Sequence, residues 1–176
     1  TSPKRIVQAL AKIGLRGRRG NEQFGSWEIQ SLLESGPGYQ EYVAASTTLP
    51  RNTDAGQARV RVYRRPSHQD APADQQRLRQ LAQREYQQLY SLRDCSRVLQ
   101  ARDFCENDKS HDPAIVFELF AGSSRFDAYL RGNPSLSFDL RLAVITQVAE
   151  TLHACHNRGV LHPRLHPGAV LVREAA

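Results

Sequence analysis

The first readable pattern along the chain is an alternation of apolar and polar side chains. Trp27-Glu28-Ile29-Gln30-Ser31-Leu32-Leu33 predicts a strand with Trp27 and Ile29 on one face. Glu34-Ser35-Gly36-Pro37-Gly38 is turn material, and Tyr39 to Ala45 resumes the strand character. After a polar turn region at Leu49 to Gln57, Ala58 to Tyr63 alternates again. Val60 and Val62 point to one side, and Arg59, Arg61 and Tyr63 to the other. Pro66 to Ala73 is a polar loop. The period then lengthens: Gln75 to Leu92 predicts a helix, with Asp74 as its cap and Leu78, Leu81, Ala82, Leu89 and Leu92 as its apolar stripe. Glu85 falls on that stripe, a costly place for an unpaired charge.

Two further strands follow, Val98 to Phe104 and the mostly apolar Ala114 to Phe120. Ser124 is placed to cap a short helix carrying Phe126, Tyr129 and Leu130, which Gly132-Asn133-Pro134 breaks. Ser137 caps a long helix with Asp139 in its first turn. Phe138, Leu142, Ile145, Ala149 and Leu152, with Val148 and Cys155, predict one wide buried face on it. Asn157-Arg158-Gly159 ends it, because glycine accepts the left-handed conformation that a helix end requires. Val160 to Pro167 is a tight loop with two prolines, and Ala169 to Val172 is a short apolar strand.

Composition narrows the class. At 176 residues the chain is long enough for a domain with a real core. It has no apolar run of membrane-spanning length and no apolar leader core. Three cysteines without paired spacing suit a reducing, cytoplasmic setting. The lack of methionine is expected of a piece cut from a longer protein. The net charge of +6 comes from 21 arginines and only 3 lysines against 18 acidic residues. Arg16, Arg18 and Arg19 among Gly14, Gly17 and Gly20 read as a basic linker.

The long helix, the histidine-containing loop and the short strand together resemble the catalytic-loop region of a protein kinase. The family pattern there is H-R-D-L-K-P-x-N followed by an apolar strand. Residues 162 to 169 read H-P-R-L-H-P-G-A. His162, Leu165 and Pro167 keep the frame. Arg164 stands at the catalytic aspartate, His166 at the lysine, and Ala169 at the metal-binding asparagine. Arginine cannot accept a hydroxyl proton and alanine cannot hold magnesium. The glycine hairpin resembles L-G-x-G-x-F-G-x-V at Leu33 and Gly36, with Glu34 and Tyr39 replacing glycines. Set against the V-A-I-K strand, Tyr63 takes the lysine position and Arg61 the small residue over the adenine pocket. Glu85 matches the helix glutamate, whose partner here is expected to be Arg61 or the Tyr63 hydroxyl. The narrower pattern L-S-x-x-x-R-L, H-x-R-G-V and H-P-R-L-H-P resembles the kinase-like region of large bacterial phage-growth-limitation (BREX-type) defence kinases.

The resemblance implies an α+β fold. A small lobe, an antiparallel sheet plus one helix, spans residues 26–120. The start of a truncated larger helical lobe spans 121–176, and residues 1–25 form a basic linker or the tail of a preceding domain. It implies a pseudokinase, a docking or regulatory module inside a larger bacterial defence protein, with other domains of that protein and defence-system proteins as partners. Gly36, Gly38, Arg61, Phe117 (the gatekeeper), Glu118 and Phe120 (the hinge) would line the nucleotide cleft. The expectation is no cofactor, no metal and no membrane. The alternative is an ATP- and magnesium-binding serine/threonine kinase with atypical motifs. A second alternative is an arginine-rich nucleic-acid module built on Arg59, Arg61, Arg64 and Arg65. A zinc site from His153, Cys155, His156, His162 and His166 lacks any C-x-x-C pair.

Overall fold

The computed structural model describes residues 22–64, 72–162 and 165–173. The chain divides into two compact units. The first takes residues up to Gln87 together with Ala101–Leu119, and the second takes Gln88–Gln100 and the chain from Phe120 onward.

The first unit is built on a six-stranded antiparallel sheet: β1 (Gln23–Phe24), β2 (Trp27–Gly36), β3 (Tyr39–Ser46), β4 (Gln57–Tyr63), β5 (Ala101–Glu106) and β6 (Pro113–Glu118), in the order β1-β2-β3-β4-β6-β5. The alternation read from the sequence sorts its two faces. Val60 and Val62 bury themselves with Phe24, Trp27, Ala44, Ala58, Ala114 and Val116. Arg59, Arg61 and Tyr63 therefore project from the opposite face. The hairpin joining β2 to β3 is closed by Pro37-Gly38 alone, with Gly36 paired to Tyr39. Gly38 has φ +80°, the left-handed position that a proline-glycine turn needs.

Helix α1 (Pro72–Ser91) begins at a proline, whose fixed φ and missing N–H suit a first helical position. Asp74 consequently lies inside the first turn rather than capping it. Ala82 is buried and Glu85 half-buried, whereas Leu81, expected on the buried stripe, turns outward and is exposed. Tyr86 packs its ring 6.0 Å from that of Phe104, and Arg79 pairs with Glu106, so the helix lies along the sheet.

The second unit holds β7 (Ser124–Arg125), α2 (Phe126–Gly132), α3 (Phe138–His156) and β8 (Leu171–Val172), with β7 and β8 paired antiparallel. Ser137 accepts from the Leu140 amide and caps α3, and Gly159 takes φ +71° after its end, as the sequence predicts. Ser124 does not cap α2. It pairs with Val172 in the two-stranded ribbon, and Arg125 precedes the helix with no side-chain cap. The strand expected from Val98 starts at Ala101 instead. The Val98 amide donates to the Cys95 carbonyl, and Gln100 donates to the Cys95 and Val98 carbonyls, so a turn holds those residues.

The largest departure is α3. Its apolar face, expected to be buried, is open: Phe138 is 75% and Ile145 59% exposed, and Leu142 is also exposed. Only Cys155 is buried on this helix. Spacing identifies a face that needs a cover, but nothing among the described residues supplies one.

Candidate functional site: a charged lattice beneath the small-lobe sheet

Five charged residues meet on the face of the sheet that carries α1. Glu41 on β3 is 1% exposed and lies directly opposite Arg61 on β4. Arg61 Nε donates to Glu41 Oε1 at 2.7 Å, and its Nη1 donates to Glu85 Oε1 on α1 at 2.5 Å. Arg59, two residues earlier on the same face, donates through Nε to Glu41 Oε2 at 2.6 Å and again through Nη2. Glu34 on β2, opposite Glu41 in register, stands 3.7 Å from Arg59 Nη2. Period-two geometry explains the gathering. Arg59 and Arg61 must share a face, and register places Glu41 between them.

Burial alone would lower the proton affinity of the Arg61 guanidinium. The Glu41 and Glu85 carboxylates more than offset this, so it is held above its ordinary value and stays charged. Aromatic rings close the cation on two sides: Arg61 Cζ lies 4.9 Å from the Tyr39 ring centroid and 5.4 Å from that of Phe117. The Tyr39 ring also lies across Gly36, where a Cβ would come 2.2 Å from it. Tyr63, buried beside this group, has its phenol pushed well above the ordinary range by burial and by the Glu85 carboxylate.

The sequence anticipates Glu85 in this cluster and leaves its partner open between two residues. The ion pair falls to Arg61. Glu41 was missed, and Arg59, expected on this face as part of a nucleic-acid cluster, was not foreseen as its partner. The available signal was a carboxylate on β3 that period-two pairing brings onto the face of two arginines. Arg64, another member of the expected basic cluster, is engaged by Glu22 at 2.6 Å and Asp112 at 3.1 Å. Arg65 lies outside the described residues, so its place in that cluster has no structural account.

The second unit holds the loop residues. His162 is exposed, and Arg164 lies outside the described residues. His166 caps the turn at Pro167–Ala169, its Nδ1 accepting from the Gly168 amide at 3.2 Å, and Ala169 is exposed. Arg125 reaches this turn. Its Nη2 would come 2.0 Å from a Cβ at Gly168, and its Nε lies 3.1 Å from Asp127 Oδ1. Desolvation opposes ionisation of Asp127, but Arg125 beside it, with Arg131, holds the carboxyl below its usual value. Phe120 is stacked by Arg173, whose Cζ lies 4.4 Å from the ring centroid. Glu118, at the end of β6, is half-buried, and Gly38 sits at the hairpin tip. Among the described residues no cluster of three or more His, Cys, Asp or Glu side chains could hold a metal ion. No described helix is long and apolar enough to cross a membrane.

A small antiparallel sheet with one helix laid on it, then a short helix, a long helix, a turn and a β-ribbon, is the architecture of a protein kinase, and the chain has that fold. It matches the kinase domain of Mycobacterium tuberculosis PknI with a TM-score of 0.62 at 21% identity, covering 89% of this chain and 59% of that one. It matches the apo form of PpkA-294 with a TM-score of 0.68 at 13% identity, covering 90% and 58%. In sequence it is similar to the probable kinase PglW of Streptomyces coelicolor, 28% identical over 171 residues. That alignment takes in 96% of this chain and 10% of the relative, so the chain spans about a tenth of that protein's length. No protein-family model matches the chain.

Proposed function

We propose that this chain is a catalytically inactive kinase-like domain that serves as a docking or regulatory module within a larger bacterial phage-defence protein. The observation that carries the reading is the Glu41 carboxylate seated on Arg61 and Arg59. By the count that sets Leu33 and Gly36 on the glycine-loop pattern, Glu41 falls at the pattern's valine. The Arg61–Glu85 pair supports Arg61, in place of the Tyr63 expected from the sequence, at the lysine of V-A-I-K, and Arg59 rather than Arg61 then falls at the small alanine. Two apolar places over a nucleotide base are then filled by a buried ion pair. A base stacked there would have to desolvate those charges, and Glu41 would repel phosphate.

The loop sequence points the same way. Arg164 at the aspartate position is no base, and Ala169 at the asparagine position offers magnesium no ligand. The similarity to PglW supports a defence setting, with other parts of the same protein and other defence proteins as partners and the cytoplasm as location. The nucleic-acid reading loses support, because Arg59, Arg61 and Arg64 are each engaged by carboxylates.

One observation favours a second reading, an ATP-binding serine/threonine kinase with atypical motifs: the Arg61–Glu85 pair has the form of the family's lysine–glutamate pair. Melting the chain with and without magnesium and ATP separates the two. A ligand at 100 times its dissociation constant stabilises by about 2.7 kcal/mol. The inactive reading expects no shift at millimolar ATP. A shift of several degrees overturns the occluded pocket and makes nucleotide sensing the leading role, and phosphotransfer by the full-length domain with every other kinase domain removed overturns the inactive reading itself.

A further inference from the structure

The lattice contains more than an inactive domain requires. In the kinases that this chain resembles, the strand lysine bridges the helix glutamate and the nucleotide phosphates. Arg61 is also a bridge: it holds Glu85 of α1 on one side and Glu41 of β3 on the other. We infer that the Glu41 carboxylate is a built-in anion that takes the place of nucleotide phosphate on the bridging cation, so that α1 is fastened to the sheet with no ligand bound. This rests on the inactive reading above and adds a role for the site, a small lobe whose helix position is independent of nucleotide.

Three features support the assignment. Glu41 comes from the backbone register of a central strand, so it is positioned before any side chain adjusts. Arg59 engages its second oxygen, which prevents the carboxylate from turning away from Arg61. The Tyr39 and Phe117 rings flank the Arg61 guanidinium, leaving it turned toward the two carboxylates. Other attachments of α1 within this unit include the buried Ala82, the Tyr86–Phe104 ring contact, the Arg79–Glu106 pair and Gln75 donating to the His111 carbonyl; Arg61 is the one that stands at the place of the nucleotide-bridging lysine. A phosphate approaching Arg61 would meet a buried carboxylate of its own sign.

Hydrogen exchange of the α1 amides tests this in the full chain, with inorganic pyrophosphate as the probe. In the wild type, pyrophosphate leaves α1 protection unchanged. Glu41→Gln removes the internal anion, so α1 exchanges about tenfold faster or more, and pyrophosphate slows it again. Glu85→Gln also speeds exchange, but pyrophosphate does not restore it, because the helix end of the bridge is gone. The inference is overturned if Glu41→Gln retains wild-type protection, or loses it without recovery by pyrophosphate. Where Glu41→Gln does not fold in plain buffer, circular dichroism follows its folding against pyrophosphate, and absence of recovery is equally decisive. A response of wild-type α1 to magnesium-ATP would overturn the nucleotide-independent helix, whereas phosphotransfer by the full-length domain would strike the inactive reading.

Discussion

Glu41 and Arg61 stand directly opposite each other on β3 and β4, joined by a 2.7 Å hydrogen bond from Arg61 Nε. The pair links the sheet to α1, because the same guanidinium holds Glu85. Breaking a buried pair from one side leaves an uncompensated charge, which costs about 3–5 kcal/mol. Arg61→Ala is expected at the low end, about 3 kcal/mol, because Arg59 still engages Glu41. Urea unfolding of Arg61→Ala, Glu41→Ala and the double variant should give a coupling energy of about 1 kcal/mol or more. Additive losses would mean that the pair contributes nothing to stability.

Phe24 is wholly buried against Trp27, Val60 and Val116 although its strand is only two residues long. Phe24→Ala should destabilise the chain by about 3–5 kcal/mol, through lost transfer energy and the cavity left behind. A loss under about 1 kcal/mol in chemical denaturation would show that β1 does not close this core.

Cys105 has its thiol pushed up to about 12, by burial first and then by the Asp103 and Glu106 carboxylates. The ordinary value is 9.0, so the folded state holds this proton more tightly than the unfolded chain. The resulting stability is complete below pH 9 and is lost as pH rises toward 12. Tyr63, also raised, acts in the same direction above pH 10. A melting temperature that falls across pH 9–12, with Cys105 resisting alkylation at pH 8.5 until urea is added, is the expected result. Rapid native-state alkylation of Cys105 would contradict it.

The β2–β3 hairpin separates two glycine effects. Gly38→Ala meets no atom within 4 Å but must keep φ +80°, which costs about 1–2 kcal/mol. Gly36→Ala has no such strain, but its Cβ would overlap the Tyr39 ring that covers Arg61. Only Gly36→Ala should therefore change Tyr39 fluorescence. Equal spectra from the two variants would show that the ring does not rest on Gly36.

Phe138 and Ile145 are apolar but exposed on α3. Replacing either with serine should change the stability of this chain by no more than about 0.5 kcal/mol, as at an ordinary surface site. A thermal loss of several degrees in either variant would show that the face is covered.

Much of the small lobe was legible in the sequence. The alternation from Ala58 to Tyr63 separated valines from arginines, because strand side chains have no choice but to alternate. Ser137 and Gly159 marked the ends of the long helix, because capping is settled within one turn. The kinase-like order of elements was legible for the same reason, being a sum of local patterns. Other features depended on distant chain. Ser124 looks like a helix cap until Val172, 48 positions later, pairs with it. Whether Arg61 or Tyr63 would meet Glu85 was open, because both lie on one face two residues apart. The backbone geometry that brings α1 over β4 decided for Arg61. The role of Glu41 could not be read from spacing, since its charge has meaning only once register sets it between Arg59 and Arg61. The sequence determined which side chains share a face; only the tertiary structure decided which charges meet, because Coulomb energy depends on distance in space and not along the chain.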